Sequence, residues 1–422
     1  MPASVSARAL LGNRPFLTLL AARTISMLGM AFAPVALAFG VLRMPGGDAG
    51  TLSLVLVAQT TPMVVFMLAG GVIADRYPRA IVLLWGEFMT AVAFGAIGVM
   101  MLTGATPLWA ICLAAALAGT ASAAVYPALT GIIPDLVPPE DRQQANTWLS
   151  GGASGARLAG LVAGGGVVVW LGGGWAMVVA GGLYLVAGFI VIGLPRLSST
   201  LASEAESPLR QLVEGWAEFR SRQWLWVVVL QFSVMTMVLQ AAHGVFGPVV
   251  AETELGGPTV WTTFLASEAV GALVGVALAL VWRPRRPILI ATLLTFTAGA
   301  PAILLGVGAP LLPVVLAAFA MGVGFQLFGV WWMTTMQNEV PPESLSRVAS
   351  YDALGSMMFG PVGLVLAGPA TLVFGVHAAL IGAGVISLLT TCLALLSPDV
   401  RRLRSRTVTA AAPAAAELAP AG

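Results

Sequence analysis

Seven ionisable side chains lie within long apolar runs of the sequence: Arg23, Glu87, Arg157, His243, Glu268, Asp352 and His377. A charge in hydrocarbon is costly, so such residues pair with one another or mark an ion path. Glu268 stands well inside its run and is the acidic candidate for proton exchange near a bilayer midplane. Histidine is the side-chain type suited to proton exchange near neutral pH, so His243 joins Glu268 and Arg157 as a proton-coupling candidate, with hydrogen-bonded packing as its plainer role. Arg157 interrupts a run of glycines and could equally face a substrate. Arg23 and Glu87 fall within reach of each other and read first as a structural pair, while His377 reads as interfacial. No His or Cys recurs at ligand spacing, and Cys112 and Cys392 both lie in apolar runs, so neither a metal site nor a disulfide framework is expected. The sequence has no Walker-type phosphate loop and no nucleophile–base constellation, which argues against an ATP-driven pump and leaves an enzyme unsupported. No cofactor is expected.

A denser cluster is Gly71-Val72-Ile73-Ala74-Asp75-Arg76-Tyr77-Pro78-Arg79, a charged turn between two apolar runs. Asp75, Arg76 and Arg79 must mark an aqueous face, and Gly71 lets a neighbouring backbone approach one helical turn before Asp75. The elements that position this turn follow from composition. Only 9% of residues are charged, against about 25% in soluble domains, and mean hydropathy is +0.94. With about twenty apolar residues needed per crossing, the runs predict twelve membrane helices, at 15–42, 51–74, 80–103, 107–133, 143–171, 174–195, 223–250, 258–282, 287–308, 310–337, 347–373 and 376–397. A barrel would show short alternating segments instead. The first run is too long, and lacks the small-residue site, for a cleavable signal peptide.

All twenty basic side chains are arginine. With both termini cytoplasmic, the loop and terminal arginines fall inside, including the cluster Arg401, Arg402, Arg404 and Arg406; only Arg43 falls outside. That is the bias of the positive-inside rule for an even helix count, and it predicts a multi-pass protein of the cell membrane. A net charge of +2 gives no reason to expect nucleic acid.

The chain also repeats. Val137-Pro138-Pro139-Glu140 recurs as Val340-Pro341-Pro342-Glu343, and Gly152, Gly160 and Gly165 align at the same offset with Gly355, Gly363 and Gly368. The expected organisation is a six-helix bundle over 1–195, a cytoplasmic linker over 196–222, a second six-helix bundle over 223–397 and a disordered tail over 398–422. In the linker, Ser207-Pro208 reads as a helix start. Leu209, Leu212, Val213, Trp216 and Phe219 then form the apolar face of an interfacial helix.

The pattern G-x-x-x-D-R-x-x-R at Gly71, Asp75, Arg76 and Arg79 resembles the signature loop between helices 2 and 3 of major facilitator superfamily transporters, with Pro78 at the family's second Gly and Ala80 at its final basic residue. The two repeats match that family's parallel halves. Gly151, Gly160 and Gly164 partly match the helix-5 motif G-x8-G-x3-G of drug:proton antiporters, where Gly165 replaces the family's Pro. Asn13-Arg14-Pro15-Phe16, Ala22-Arg23-Thr24 and Pro134-Asp135-Leu136-Val137 resemble the macrolide-efflux and enterobactin-exporter branch. The resemblance implies an all-α membrane fold of two six-helix halves. It also implies a gate in which Gly71, Asp75, Arg76, Arg79, Asp135, Arg347 and Asp352 take part. The implied cavity is lined by Met30, Gln59, Arg157, Gln240, Gln326 and Trp331, with lipid-facing or interfacial packing as the alternative for Trp331. The expected function is export of a hydrophobic drug or metabolite in exchange for protons by a monomer in the lipid bilayer. The rivals are a dedicated exporter of one metabolite such as a siderophore, and a non-transporting sensor or scaffold.

Overall fold

Twelve helices long and apolar enough to cross a membrane run through the described residues. The computed structural model describes residues 10, 12–138, 142–195 and 216–404. Side chains at 68–76, 126–127, 130–131, 134–135, 142–144, 146–147, 280, 342–343 and 345–347 fall outside the description.

The first six helices are α1 (Arg14–Leu42), α2 (Ala49–Arg76), α3 (Arg79–Thr103), α4 (Leu108–Leu136), α5 (Arg142–Leu171) and α6 (Gly173–Val191). The second six are α7 (Gln223–Glu254), α8 (Pro258–Val281), α9 (Pro287–Gly306), α10 (Leu311–Glu339), α11 (Pro342–Met357 with Gly360–Phe374) and α12 (Val376–Leu396). Every expected span is present, with ends within a few residues of the sequence reading.

Local chemistry sets the boundaries and the irregularities. Asn13 caps α1, its side chain accepting from the Phe16 amide at 3.1 Å, and Pro15 follows in the first turn. Three departures from regular helix each precede a proline, which removes an amide and crowds the carbonyl four residues back. α7 widens to a π-turn over Ala242–Phe246 before Pro248. α9 tightens to a 3-10 turn over Thr295–Ala298 before Pro301, and α11 breaks at Met358–Phe359 before Pro361.

An even number of crossings returns the chain to its starting side, here the terminal side; the opposite one is the far side. All six far-side turns contain a glycine with positive φ. At Gly172 (φ 90°) and Gly375 (φ 80°) that residue alone reverses the chain between two helices, a backbone that a side chain would strain. These two glycines stand 203 residues apart, the offset of the sequence repeat.

Close helix contacts recur as well, through glycines at that offset. Gly119 on α4 meets the Gln59 carbonyl of α2, and Gly322 on α10 meets the Glu268 carbonyl of α8. Gly181 on α6 meets Gly95 on α3, and Gly384 on α12 meets Gly299 on α9. Small residues let the backbones touch where lipid supplies no hydrophobic drive. The duplication inferred from the Pro-Pro-Glu repeat is thus present in the packing.

Contacts divide the chain into two compact units whose borders differ from the expected halves. Unit 1 comprises Met1–Ala205, Gln240–Ala266 and Pro361–Val376; unit 2 comprises Glu206–Leu239, Ser267–Gly360 and His377–Gly422. The far-side ends of α7, α8 and α11 therefore belong with the first six helices, because they pack directly on α1, α2 and α5.

Of the linker helix only its end is described. Residues 216–221 are helical, Trp216 stacks on Phe219 at 5.6 Å, and both rings lie against Tyr351 of unit 2. The expected disordered tail begins as a short helix, Pro398–Arg402, whose buried Val400 joins the core of unit 2 against α9. Ser207, Leu209, Leu212 and Val213, and residues 405–422, lie outside the described residues.

Candidate functional site

Among the described residues, polar groups inside and at the ends of the helices gather in several places. In unit 1, Ser26 on α1 donates to Glu87 Oε1 on α3 at 2.7 Å. Glu87 is only 5% exposed, and its Oε2 is enclosed without a hydrogen-bond partner. Arg23 of α1 and Tyr184 of α6 lie within electrostatic reach of it. Gly188 of α6 lies alongside, a Cβ there falling in ordinary contact 3.4 Å from Glu87 Cβ.

Unit 2 has a matching knot without charge. Gln231 Nε2 on α7 donates to Thr295 Oγ1 on α9 at 2.8 Å and to Thr391 Oγ1 on α12 at 3.1 Å. The two threonine hydroxyls are 2.9 Å apart. The unit 2 knot ties the first, third and sixth helices of its repeat, the unit 1 groups lie on the matching three, and Glu87 and Thr295 stand at the same depth, eight residues past Arg79 and Pro287.

The third place is the far side of unit 1. Arg43, just beyond α1, forms a fork with Glu252 on α7: Nε to Oε1 at 2.7 Å and Nη2 to Oε2 at 2.9 Å. Those hydrogen bonds hold the guanidinium proton more firmly than usual. Next to it Ser53 on α2 donates to the Leu364 carbonyl of α11, and Gly368 of α11 packs against Gly50 of α2. Gly165 on α5 abuts Thr262 on α8. Gly165 and Gly368 are repeat partners, as are the α2–α11 and α5–α8 pairings they make. A cleft of about 320 Å³ opens beside the Arg43–Glu252 pair, lined by Asp48, Ala49, Val249, Thr253 and Thr371.

The residues singled out in sequence are distributed as follows. The side chains of Gly71, Asp75, Arg76, Asp135 and Arg347 lie outside the described residues. Arg79 is half-buried at the start of α3. Asp352 accepts from Trp332 Nε1 at 3.1 Å and lies 3.5 Å from the Ser356 hydroxyl. Glu268 is half-buried on α8, and Arg157 is exposed on α5. His243 sits on the π-turn of α7 with its ring 5.6 Å from Phe264 and 6.2 Å from Trp261. Met30 is 56% exposed, while Gln59, Gln240 and Gln326 are half-buried. Trp331 is 5% exposed and packs edge-on against Trp282, so it belongs to the core of unit 2 as it stands. The glycine strip packs on α1: Gly160 meets Leu28 and Ala31, and Gly164 meets Phe32. Gly152 lies against Thr24, whereas Gly151 has nothing within 4 Å.

Sequence reasoning missed the Arg43–Glu252 fork, because its partners are 209 residues apart and each reads alone as a loop charge. It noticed Glu87 but not its enclosure. No cluster of three or more His, Cys, Asp or Glu suited to a metal occurs among the described residues.

Comparison with known proteins fits this architecture. The family model described as Major Facilitator Superfamily matches residues 16–360. Macrolide efflux protein A of Streptococcus pyogenes is 23% identical over 402 residues, covering 92% of this chain and 96% of that protein. The uncharacterized MFS-type transporter YvqJ of Bacillus subtilis is 26% identical over 293 residues, 68% of this chain and 69% of its own. Among solved structures, a mutant of the nucleoside transporter NupG aligns with a TM-score of 0.73 at 13% identity, over 90% of this chain and 99% of the other. A POT family transporter in complex with 5-aminolevulinic acid aligns with a TM-score of 0.72 at 13% identity, over 92% and 97%.

Proposed function

Because this chain belongs to the Major Facilitator Superfamily, and so is a multi-pass membrane transporter of small molecules rather than an enzyme, we propose that it exports a hydrophobic drug or secondary metabolite in exchange for protons. The observation that carries this reading is the near full-length relation to macrolide efflux protein A.

On this reading the protein lies in the cell membrane as a monomer with both termini cytoplasmic, as its arginine distribution favours, and the far side faces outward. Met30, Gln59, Arg157, Gln240, Gln326 and Trp331 offer the proposed cavity one thioether, three amides, one guanidinium and one indole. Such a lining suits large ligands of varied shape. The Arg43–Glu252 fork and the Gly165–Thr262 and Gly50–Gly368 contacts hold the outer end shut. The inner gate comprises Gly71, Asp75, Arg76, Arg79, Asp135, Arg347 and Asp352. Opening one end while the other closes carries the ligand across. Transport needs no covalent step.

The test is accumulation of radiolabelled erythromycin, a macrolide, in efflux-deficient cells making this protein. Lower accumulation that a protonophore restores is the expected result. Unchanged accumulation of erythromycin and of a panel of other lipophilic drugs would refute drug export. Loss of a single secreted metabolite on gene deletion would favour the dedicated-exporter alternative.

A further inference from the structure

Glu87 is the only charged residue among the buried polar residues of the described chain. Its enclosure is expensive: one carboxylate oxygen has a single neutral donor, Ser26, and the other has none. The fold does not need a charge in this position. At the matching depth in unit 2, the same three helices are tied by Gln231, Thr295 and Thr391, all neutral. A structural role would have been met by the same solution in both repeats, so the ionisable version in unit 1 points to a use that requires a proton to come and go.

The surroundings suit that use. The titratable and charged groups facing Glu87 are Arg23 from α1 and Tyr184 from α6, and no ionisable group of α4 faces it among the described residues. Gly86, its neighbour, turns instead toward Val125 of α4. Arg23 supplies positive potential without a direct ion pair among the described contacts, so Glu87 is not locked to a partner. α1 also carries Met30 and packs on the glycines of α5. A change in the Ser26–Glu87 bond therefore acts on a helix shared by the cluster and the proposed cavity.

We propose that Glu87 is the carboxyl that takes up and releases the proton exchanged for substrate, with Ser26 positioning it and Arg23 as its electrostatic counterweight. Uptake adds a proton to the carboxylate and forms a neutral acid; release returns that proton to water on the other side. The proposal rests on the proton-exchange reading above, and it moves the coupling role from Glu268, Arg157 and His243 to Glu87 on α3.

Two measurements on the full-length protein in lipid vesicles test it. The first is infrared difference spectroscopy across a pH step with no substrate present. The expected result is a carboxylic-acid carbonyl band that titrates in wild type, disappears in Glu87→Gln, and titrates at a changed pH in Ser26→Ala. The second is erythromycin transport: the ratio of pH-gradient-driven uptake to gradient-free counterflow should fall at least tenfold in Glu87→Gln. A titrating band that survives in Glu87→Gln overturns the proposal, as does driven uptake that keeps its wild-type ratio. Should Glu87→Gln not fold, Glu87→Asp serves: its acid band must shift in frequency, and an unshifted band overturns the assignment. Failure of wild type to move erythromycin would refute drug export alone, since the infrared band still decides where the proton sits.

Discussion

A methyl group added at Gly165 probes whether the far-side packing controls access. A Cβ there would overlap Thr262 Oγ1 and Cγ2 and lie 2.7 Å from Thr262 Cβ. Thr262 is β-branched and helical, with few rotamers into which it can retreat. Overpacking of this kind costs about 1–3 kcal/mol, and because the contact exists only while the α5–α8 pair is closed, the cost falls on that state alone. A bias of about 1–3 kcal/mol corresponds to roughly a 5- to 150-fold change in the ratio of closed to open. The reporter is Ser53→Cys, a residue 4% exposed on the same side, in a background lacking Cys112 and Cys392. Maleimide labelling of the purified protein should accelerate by that factor in Gly165→Ala. Adding Thr262→Ala, which removes the two overlapping atoms, should reverse most of the gain. A folded Gly165→Ala protein that labels at the parental rate would show that the glycine is tolerated space rather than part of a gate.

Breaking the Arg43–Glu252 fork with Glu252→Gln should act on the same reporter more weakly. The pair is partly exposed, at 44% and 25% for the two side chains, and worth about 0.2–1 kcal/mol, so labelling should rise no more than about fivefold, with recovery in the charge-swapped double variant. Gly119→Ala and Gly322→Ala each press a methyl group onto a backbone carbonyl of the neighbouring helix; both should lower the thermal midpoint in detergent, consistent with about 1–3 kcal/mol of overpacking. Gly151→Ala, with nothing within 4 Å, should leave the midpoint unchanged or raise it through helix propensity. Asp352→Ala strands the buried Trp332 indole N–H and should cost about 1–3 kcal/mol, whereas Asp352→Asn keeps an acceptor and should cost less; equal losses would rule out the hydrogen bond as the cause.

The twelve spans were legible because hydrocarbon thickness sets a length that Pro, Gly and Arg punctuate, and the duplication was legible because Pro-Pro-Glu and three glycines share one offset. What stayed hidden depends on pairing and rotation. Helical spacing identified a glycine strip on α5 but not which of its glycines α1 would meet: Gly152, Gly160 and Gly164 touch it and Gly151 does not. Trp331 read either as a cavity aromatic or as packing, and spacing alone could not show its edge-on contact with Trp282. Glu87 and Ser26 are 61 residues apart, and only the packing of α1 on α3 joins them. Likewise, a sequence cannot show that the carboxyl has one oxygen bound and the other bare.

The glycine reversals on the far side have a practical corollary for anyone handling this molecule. Where a single residue such as Gly172 or Gly375 links two spans, an inserted epitope or reporter would wedge the spans apart, and little loop remains for an antibody or protease to grip. Labels and fusion partners belong in the long connection after α6 or beyond the final short helix, where lengthening the chain leaves the spans in register.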